Sequence, residues 1–195
     1  VGIGAGLMIL SGVLSQEEAI RGVDFNTIAL LAGMMLIVGI TRRSGVFQYV
    51  AIWSTKLVGA SPAGVLALLA VVTAVISALL DNVTTVLLMV PVTLVVTQEL
   101  EVPPYPFLFA EVFASNLGGT ATLIGDPPNI MIGSAVGLTF NDFVWNLTPV
   151  IVVTLLVQVA AIHLIWGRRL HTSVENRARV MAMDPRVAIT DWRLL

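Results

Sequence analysis

Two polar stretches interrupt apolar runs that are long enough to lie in lipid, and they constrain this chain more than anything else in it. The first is Ser77-Ala78-Leu79-Leu80-Asp81-Asn82-Val83-Thr84-Thr85. The second runs from Asn116 through Gly118-Gly119-Thr120 and Thr122 to Gly125-Asp126-Pro127-Pro128-Asn129. A bilayer core has no water to satisfy open backbone, so a broken helix persists there only when protein encloses it or when it lines a wet cavity. Paired Gly/Pro interruptions of this kind are the strongest sequence pointer to a substrate site between helices.

The surrounding composition fits lipid. The chain is 57% hydrophobic and only 11% charged, whereas soluble domains carry about 25% charged residues. No basic patch interleaved with aromatics points to nucleic acid. With no cysteine, disulfide frameworks and thiolate metal sites are excluded. Val1–Leu14 has neither a basic flank nor a small-residue cleavage site, so it does not read as a signal peptide. It reads as the end of a spanning helix, and the chain as part of something longer.

The predicted architecture is an all-α integral membrane fold of multi-pass helices. Phe25–Ile40 is a spanning helix. Val46–Ala60, with Tyr49 and Trp53 among polar residues, suits an amphipathic helix on the membrane surface. Pro62–Leu80 and Thr84–Gln98 flank the first break. Phe107–Leu117 leads into the second, Asn129–Val136 resumes after it, and Phe143–Gly167 spans the membrane again. Positive residues mark cytoplasmic loops. Arg42, Arg43 and Lys56 lie on that side, as does the segment from Arg168 onward with Arg177, Arg179, Arg186 and Arg193 opposed by Glu175, Asp184 and Asp191. The Glu17/Glu18 turn and the Gly137–Asp142 turn then face outward. This count makes Pro62–Gln98 a helical hairpin with Asp81-Asn82 at its tip. Its second arm, at 15 residues and about 22 Å, predicts a re-entrant hairpin that stops near mid-membrane. Four regions follow: scaffold helices with the interfacial helix over 1–60, the transport hairpin and broken helix over 61–136, a final spanning helix over 137–167, and a cytoplasmic linker over 168–195 that leads to a second half beyond these residues.

The two breaks carry the chemistry. Asp81, Asn82, Thr84 and Thr85 offer carboxylate, amide and hydroxyl oxygens, and Ser77 lies one turn before Asp81 on the same face. Hard cations want oxygen ligands. The second arm also begins at the tip, so its free N–H groups point into the site. Asp81 or Asn82 can at the same time cap that arm. In the second break Gly118-Gly119 permit unusual backbone geometry, Pro127-Pro128 stop one helix and open the next, and Thr120, Asp126 and Asn129 are candidate ligands. Asp126 is either a second ion-binding carboxylate or the cap of the helix opening at Pro127.

These two motifs together resemble the ion transporter superfamily, most closely its citrate-transporter-like, ArsB/NhaD group, over about residues 20–195. The resemblance implies a homodimer with scaffold and mobile transport domains, built from inverted repeats and working by an elevator motion, often Na⁺-coupled. It implies a site formed from the hairpin tip and the Gly-Gly-Thr break. The family's tip Ser-Asn-Thr falls on Asp81, Asn82 and Val83, of which only Asn82 is kept. Its sodium-site Ser falls on Ser77, its backbone ligands on Gly118 and Gly119, and the neighbouring Thr on Thr120. A sodium site at Ser77, Asp81, Asn82, Gly118 and Gly119 is the resulting expectation. Asp81 adds a negative charge and Val83 removes a hydroxyl, and both disfavour a multiply charged carboxylate.

The expected activity is therefore secondary active transport of small ions, coupled to Na⁺ or H⁺, as Na⁺/H⁺ antiport or as anion or arsenite transport. A Na⁺-coupled dicarboxylate or citrate carrier and an ion channel are the alternatives. The expected setting is the plasma (inner) membrane, with lipid and a small ion as partners and no cofactor beyond the coupling ion. An enzyme is not expected: intramembrane aspartyl proteases resemble Tyr-Asp and Gly-x-Gly-Asp, and Leu80-Asp81 and Leu123-Ile124-Gly125-Asp126 match neither. Among weaker signals, Glu111 is either a proton relay, a carboxyl near the membrane interface, or one paired with a Ser or Asn. His163 reads as structural, Trp145 and Trp166 as interfacial anchors, and Thr154 and Gln158 as interhelical hydrogen bonds.

Overall fold

The computed structural model describes residues 2–190, so Val1, Asp191 and Arg193 lie outside it. The described residues are helical with no strand: α1 (Gly2–Leu10), α2 (Gln16–Arg21), α3 (Phe25–Ser44), α4 (Val46–Leu57), α5 (Pro62–Leu79), α6 (Asn82–Glu99), α7 (Tyr105–Thr120), α8 (Pro127–Val136), α9 (Phe140–Ile165) and α10 (Val174–Ala182), with short 3₁₀ turns at Gly167–Arg169 and Pro185–Ala188. Among them α3, α5, α6 and α9 are long and apolar enough to cross a membrane.

Local chemistry sets the boundaries. Ser15 and Glu18 form a capping box that starts α2, and Thr139 and Asp142 form one that starts α9. That second box begins α9 three residues earlier than the apolar run alone suggests. Pro62 occupies the first turn of α5, where a missing N–H costs nothing. The second hairpin arm is longer than expected from its apolar run. Asp81 caps it by accepting from the Thr84 N–H at 2.8 Å, so Asn82 and Val83 are already helical. At 18 residues, α6 is about 27 Å long and is not a short arm.

Side-chain bonds give the helix directions. Ser77 in α5 meets Ser115 in α7, while Ala70 and Ala110 line one gap between these two helices further back. Hence α5 and α7 run the same way. Thr93 bonds Glu111 and Asn82 bonds Asn116, so α6 runs opposite to α7. Gln158 bonds Ala110 and Thr148 bonds Ala121, so α9 is antiparallel too. The core forms where α5, α6 and α7 meet, with Leu69, Ala70, Met89, Val96, Phe107, Ala110 and Ala114 all buried. Alanines and Gly118 at the α5–α7 seam allow close approach, the usual packing solution where lipid removes any hydrophobic drive between helices. The outer faces of α3 and α9 stay apolar and exposed, with Leu36, Ile37, Val153 and Leu156 each above 60% exposed, as a lipid-facing surface should be.

Residues after α9 fold back over one end of the bundle. Thr172 and Asn176 donate to Leu100 O, Arg177 donates twice to Gly59 O, and Lys56 donates to Met183 O. Thr190 N donates to Ser44 O at 3.0 Å. Gly45 joins α3 to α4 with φ +79°, and a Cβ there would lie 1.8 Å from Ala188 O. Arg42, Arg43, Lys56, Arg168, Arg169, Arg177, Arg179 and Arg186 all belong to this pole. Arg21 lies at the opposite end beside Met131 and Ser134 of α8. α4 packs on α5, α6 and the Pro185–Ala188 turn, leaving Trp53 and Leu57 exposed. Trp166 meets Tyr105 and Phe109 edge-on at 6.3 and 5.8 Å, while Trp145 is exposed.

Candidate functional site: the junction of two broken elements

The hairpin tip and the second break meet. The buried Ser77 hydroxyl donates to Ser115 O at 2.6 Å, and Thr122 Oγ1 donates to Ala78 O at 2.5 Å. Asn82 Nδ2 donates to Asn116 Oδ1 at 2.9 Å across the same seam. Thr148, the ninth residue of α9, donates to Ala121 O at 3.1 Å. The junction therefore lies about 12 Å along a helix about 39 Å long, well inside the span of α9.

Three helix ends converge there: the start of α6, the end of α7 and the start of α8. Asp81 uses one oxygen to cap α6. Asp126 holds the equivalent position before α8, yet its side chain makes no cap bond. The reason is in the sequence: Pro127 and Pro128 have no N–H to offer, and the Asn129 N–H turns to Asp126 O at 3.0 Å. The Asp126 carboxylate is half-buried and has no hydrogen-bond partner among the described residues.

The glycines act differently from expectation. Gly118 and Gly119 stay in the last turn of α7, without positive φ. What they permit is proximity. A Cβ on Gly118 would lie 2.0 Å from Ala74 O, and one on Gly119 2.6 Å from Gly125 O. The unwound segment is 121–126, and Gly125 sits in it against both Gly119 O and Ser77 O. Gly118 O already accepts from Ala121 N.

Asn129 holds the break together. Its Nδ2 reaches Thr122 O at 2.8 Å, Thr120 O at 3.2 Å and Gly119 O at 3.5 Å, so one buried amide serves the carbonyls that the end of α7 leaves open. Thr120 Oγ1 donates to Asn116 O in its own helix at 2.8 Å. Thr85 is fully buried with its hydroxyl unpartnered, one turn beyond the tip. Thr84 is partly exposed beside it. The structure thus brings Ser77, Asp81, Asn82, Gly118, Gly119, Thr120, Asp126 and Asn129 to one junction.

Sequence reasoning undervalued Thr122, Gly125 and Asn116, which tie the break to the hairpin. A hydroxyl and a glycine inside the Gly-Gly to Pro-Pro interval were the available signals. Glu111 pairs with Thr93, neither Ser nor Asn. Gln158 makes the expected interhelical bond, to Ala110 O at 2.8 Å, whereas Thr154 bonds Val150 O in its own helix.

A family model described as "Citrate transporter" matches residues 1–195. An uncharacterized transporter of Mycobacterium tuberculosis is 47% identical over 196 residues, covering 98% of this chain and 46% of the relative. A 46 kDa membrane protein of Mycobacterium leprae is 45% identical over 197 residues, with 98% and 46% covered. The P protein of Homo sapiens is 36% identical over 196 residues, covering 97% of this chain and 23% of the relative. The chain thus spans about half the length of its mycobacterial relatives. A full-length family match and a bundle with four helices fit to span a membrane make it an integral membrane protein, and it belongs to the citrate transporter family.

Proposed function

We propose that this chain is the ion-binding half of a secondary active transporter of small ions, coupled to Na⁺ or H⁺. The observation that carries this is the pair Asp81 and Asp126 at the meeting of three helix ends, with the Asp126 carboxylate unused by the fold. Two carboxylates with Asn82, Thr120 and backbone carbonyls around them make an oxygen-rich cation site, as Na⁺ requires. Ser77, Gly118 and Gly119 form its floor. Ionisable residues at such depth are costly and are retained for function.

The hairpin is re-entrant in this reading. Its tip is level with the break, and the 10 residues of α8, about 15 Å, still lie beyond it. The Arg-rich pole faces the cytoplasm by the positive-inside rule, in the plasma (inner) membrane. A homodimer moving its transport unit as an elevator completes the cycle.

Citrate, named by the family model's description, is the second reading. Its carboxylates would meet Asp81 and Asp126, so it would need co-bound cations to enter. Proteoliposome flux of the full-length protein separates the two. Na⁺/H⁺ exchange, arsenite and citrate are each measured with wild type, Asp81→Asn and Asp126→Asn. Cation-coupled flux lost in both variants supports the proposal. Flux unchanged in both would reduce the aspartates to helix-end residues and overturn it. Flux that neither saturates nor follows a counter-ion gradient would indicate a channel.

A further inference from the structure

Glu111 lies in α7, nearly two turns before Gly118 and away from the junction. It is fully enclosed at 0% exposure. Its Oε1 accepts from the Thr93 hydroxyl of α6, and its Oε2 has no partner among the described residues. The elements packed on α7 are α5, α6 and α9. None carries Lys or Arg. α5 has no ionisable side chain, and α6 has only Glu99, at the pole end. α9 has Asp142 at its far end and His163, which lines a small apolar gap with Leu66, Ala70 and Ala110. Among the described residues, then, no lysine or arginine on the helices packed against α7 compensates Glu111.

The surroundings also offer a way in. Thr73 Oγ1 on α5 and Thr85 Oγ1 on α6 are buried and unpartnered among the described residues. Thr73 stands one turn before Ser77 on α5, and Glu111 one turn before Ser115 on the parallel α7. At the edge of the break the Ser77 hydroxyl donates to the Ser115 carbonyl, while the Ser115 hydroxyl donates to Val112 O one turn back on α7. Hydroxyl-bearing positions thus climb from Glu111 to the junction. Buried polar atoms without partners are rare, and each calls for an explanation such as a water or a proton path.

We propose that Glu111 is a proton-exchanging carboxyl, separate from the ion site at Asp81 and Asp126, that takes up and releases the coupling proton through these hydroxyls. The proposal rests on the transporter reading and names where its proton is held. Uptake breaks one O–H bond of a hydronium ion at the break, leaving water, and forms one O–H bond on Oε2; release runs the same exchange backward. Thr93 is a positioning residue: it occupies Oε1 and leaves Oε2 to titrate.

The test is infrared pH titration of the full-length protein in lipid, paired with proton flux read by a pH dye after a Na⁺ pulse. The carbonyl stretch of a protonated carboxyl should rise and fall with pH in wild type. It should be absent in Glu111→Gln and present in the Asp81→Asn/Asp126→Asn double variant. Thr93→Val should shift its frequency, because the hydrogen bond to Oε1 is gone. Proton flux should be lost in Glu111→Gln while Na⁺-dependent thermal stabilisation persists. A titrating band unchanged in Glu111→Gln, or undiminished proton flux, overturns the proposal. If Glu111→Gln does not fold, the frequency shift in Thr93→Val decides, and no shift overturns it. If wild type moves no protons but shows Na⁺-coupled flux, the proton role of Glu111 is overturned while the transporter reading stands; if it moves neither, the transporter reading itself fails.

Discussion

Gly118→Ala is the sharpest test of how α5 and α7 are held. The added Cβ would lie 2.0 Å from Ala74 O and 2.7 Å from Ala74 Cα, both backbone atoms of the facing helix. Neither can rotate away. Ordinary contact begins at 3.4 Å, so the helices must part locally by about 1.4 Å. The Ser77–Ser115 bond at 2.6 Å and the Thr122–Ala78 bond at 2.5 Å cross this same seam. Parting of that size carries both beyond hydrogen-bond reach. Two buried hydrogen bonds are together worth about 1–3 kcal/mol net, and overpacking adds about 1–3 kcal/mol. The expected loss is thus about 2–6 kcal/mol. It is read by denaturant unfolding of the full-length protein in micelles, with Gly33→Ala as control. Gly33 has nothing within 4 Å, and alanine in a helix should there be neutral or stabilising by about 0.5–1 kcal/mol. If Gly118→Ala unfolds within about 1 kcal/mol of wild type, the close α5–α7 approach is wrong, and so is the seam that joins the two breaks.

Asn129→Leu keeps bulk but strips the amide from Thr122 O and Thr120 O. It should cost about 1–3 kcal/mol in the same unfolding assay and depress flux by loosening the break. Gly45→Ala forces φ +79° on a side chain whose Cβ would meet Ala188 O. It should cost about 1–2 kcal/mol from backbone strain alone and release the segment 185–190, seen as faster limited proteolysis there. Asn176 and Arg179 hold the exposed Glu101 carboxyl below the usual carboxylate range. Because the folded-state value is depressed, its contribution is present above the ordinary carboxylate pKa and is lost as pH falls through the folded value. Melting curves from neutral pH to about pH 3 should therefore show Glu101→Gln differing from wild type only at the upper end, and slightly.

Much of the candidate site was legible because its residues are costly in lipid and so stand out from it. Asp81, Asn82, Asp126 and Pro127-Pro128 have no cheap reason to lie between apolar runs. What could not be read was the division of labour among them. Asp81 and Asp126 look alike in sequence, each before a helix. One caps, the other does not, because prolines remove the N–H groups after Asp126. Gly118-Gly119 suggested unwound backbone, but two consecutive glycines cannot tell an open conformation from a tight helix crossing. Only the backbone of Ala74 on another helix decides that.

By itself the sequence determined the class, the main apolar helices and the two interruptions, since the bilayer admits so few ways to satisfy a backbone, but not the short polar helices α2 and α10. It also determined that positive charge gathers after α3 and after α9. Tertiary structure alone decided which bonds join tip and break, that Asn129 closes the end of α7, and that Glu111 is enclosed with one oxygen bound and one free among the described residues. Those features depend on which helices touch, and at what height. Hydropathy, which follows one chain against lipid, carries no term for contacts between residues 34 or 44 positions apart.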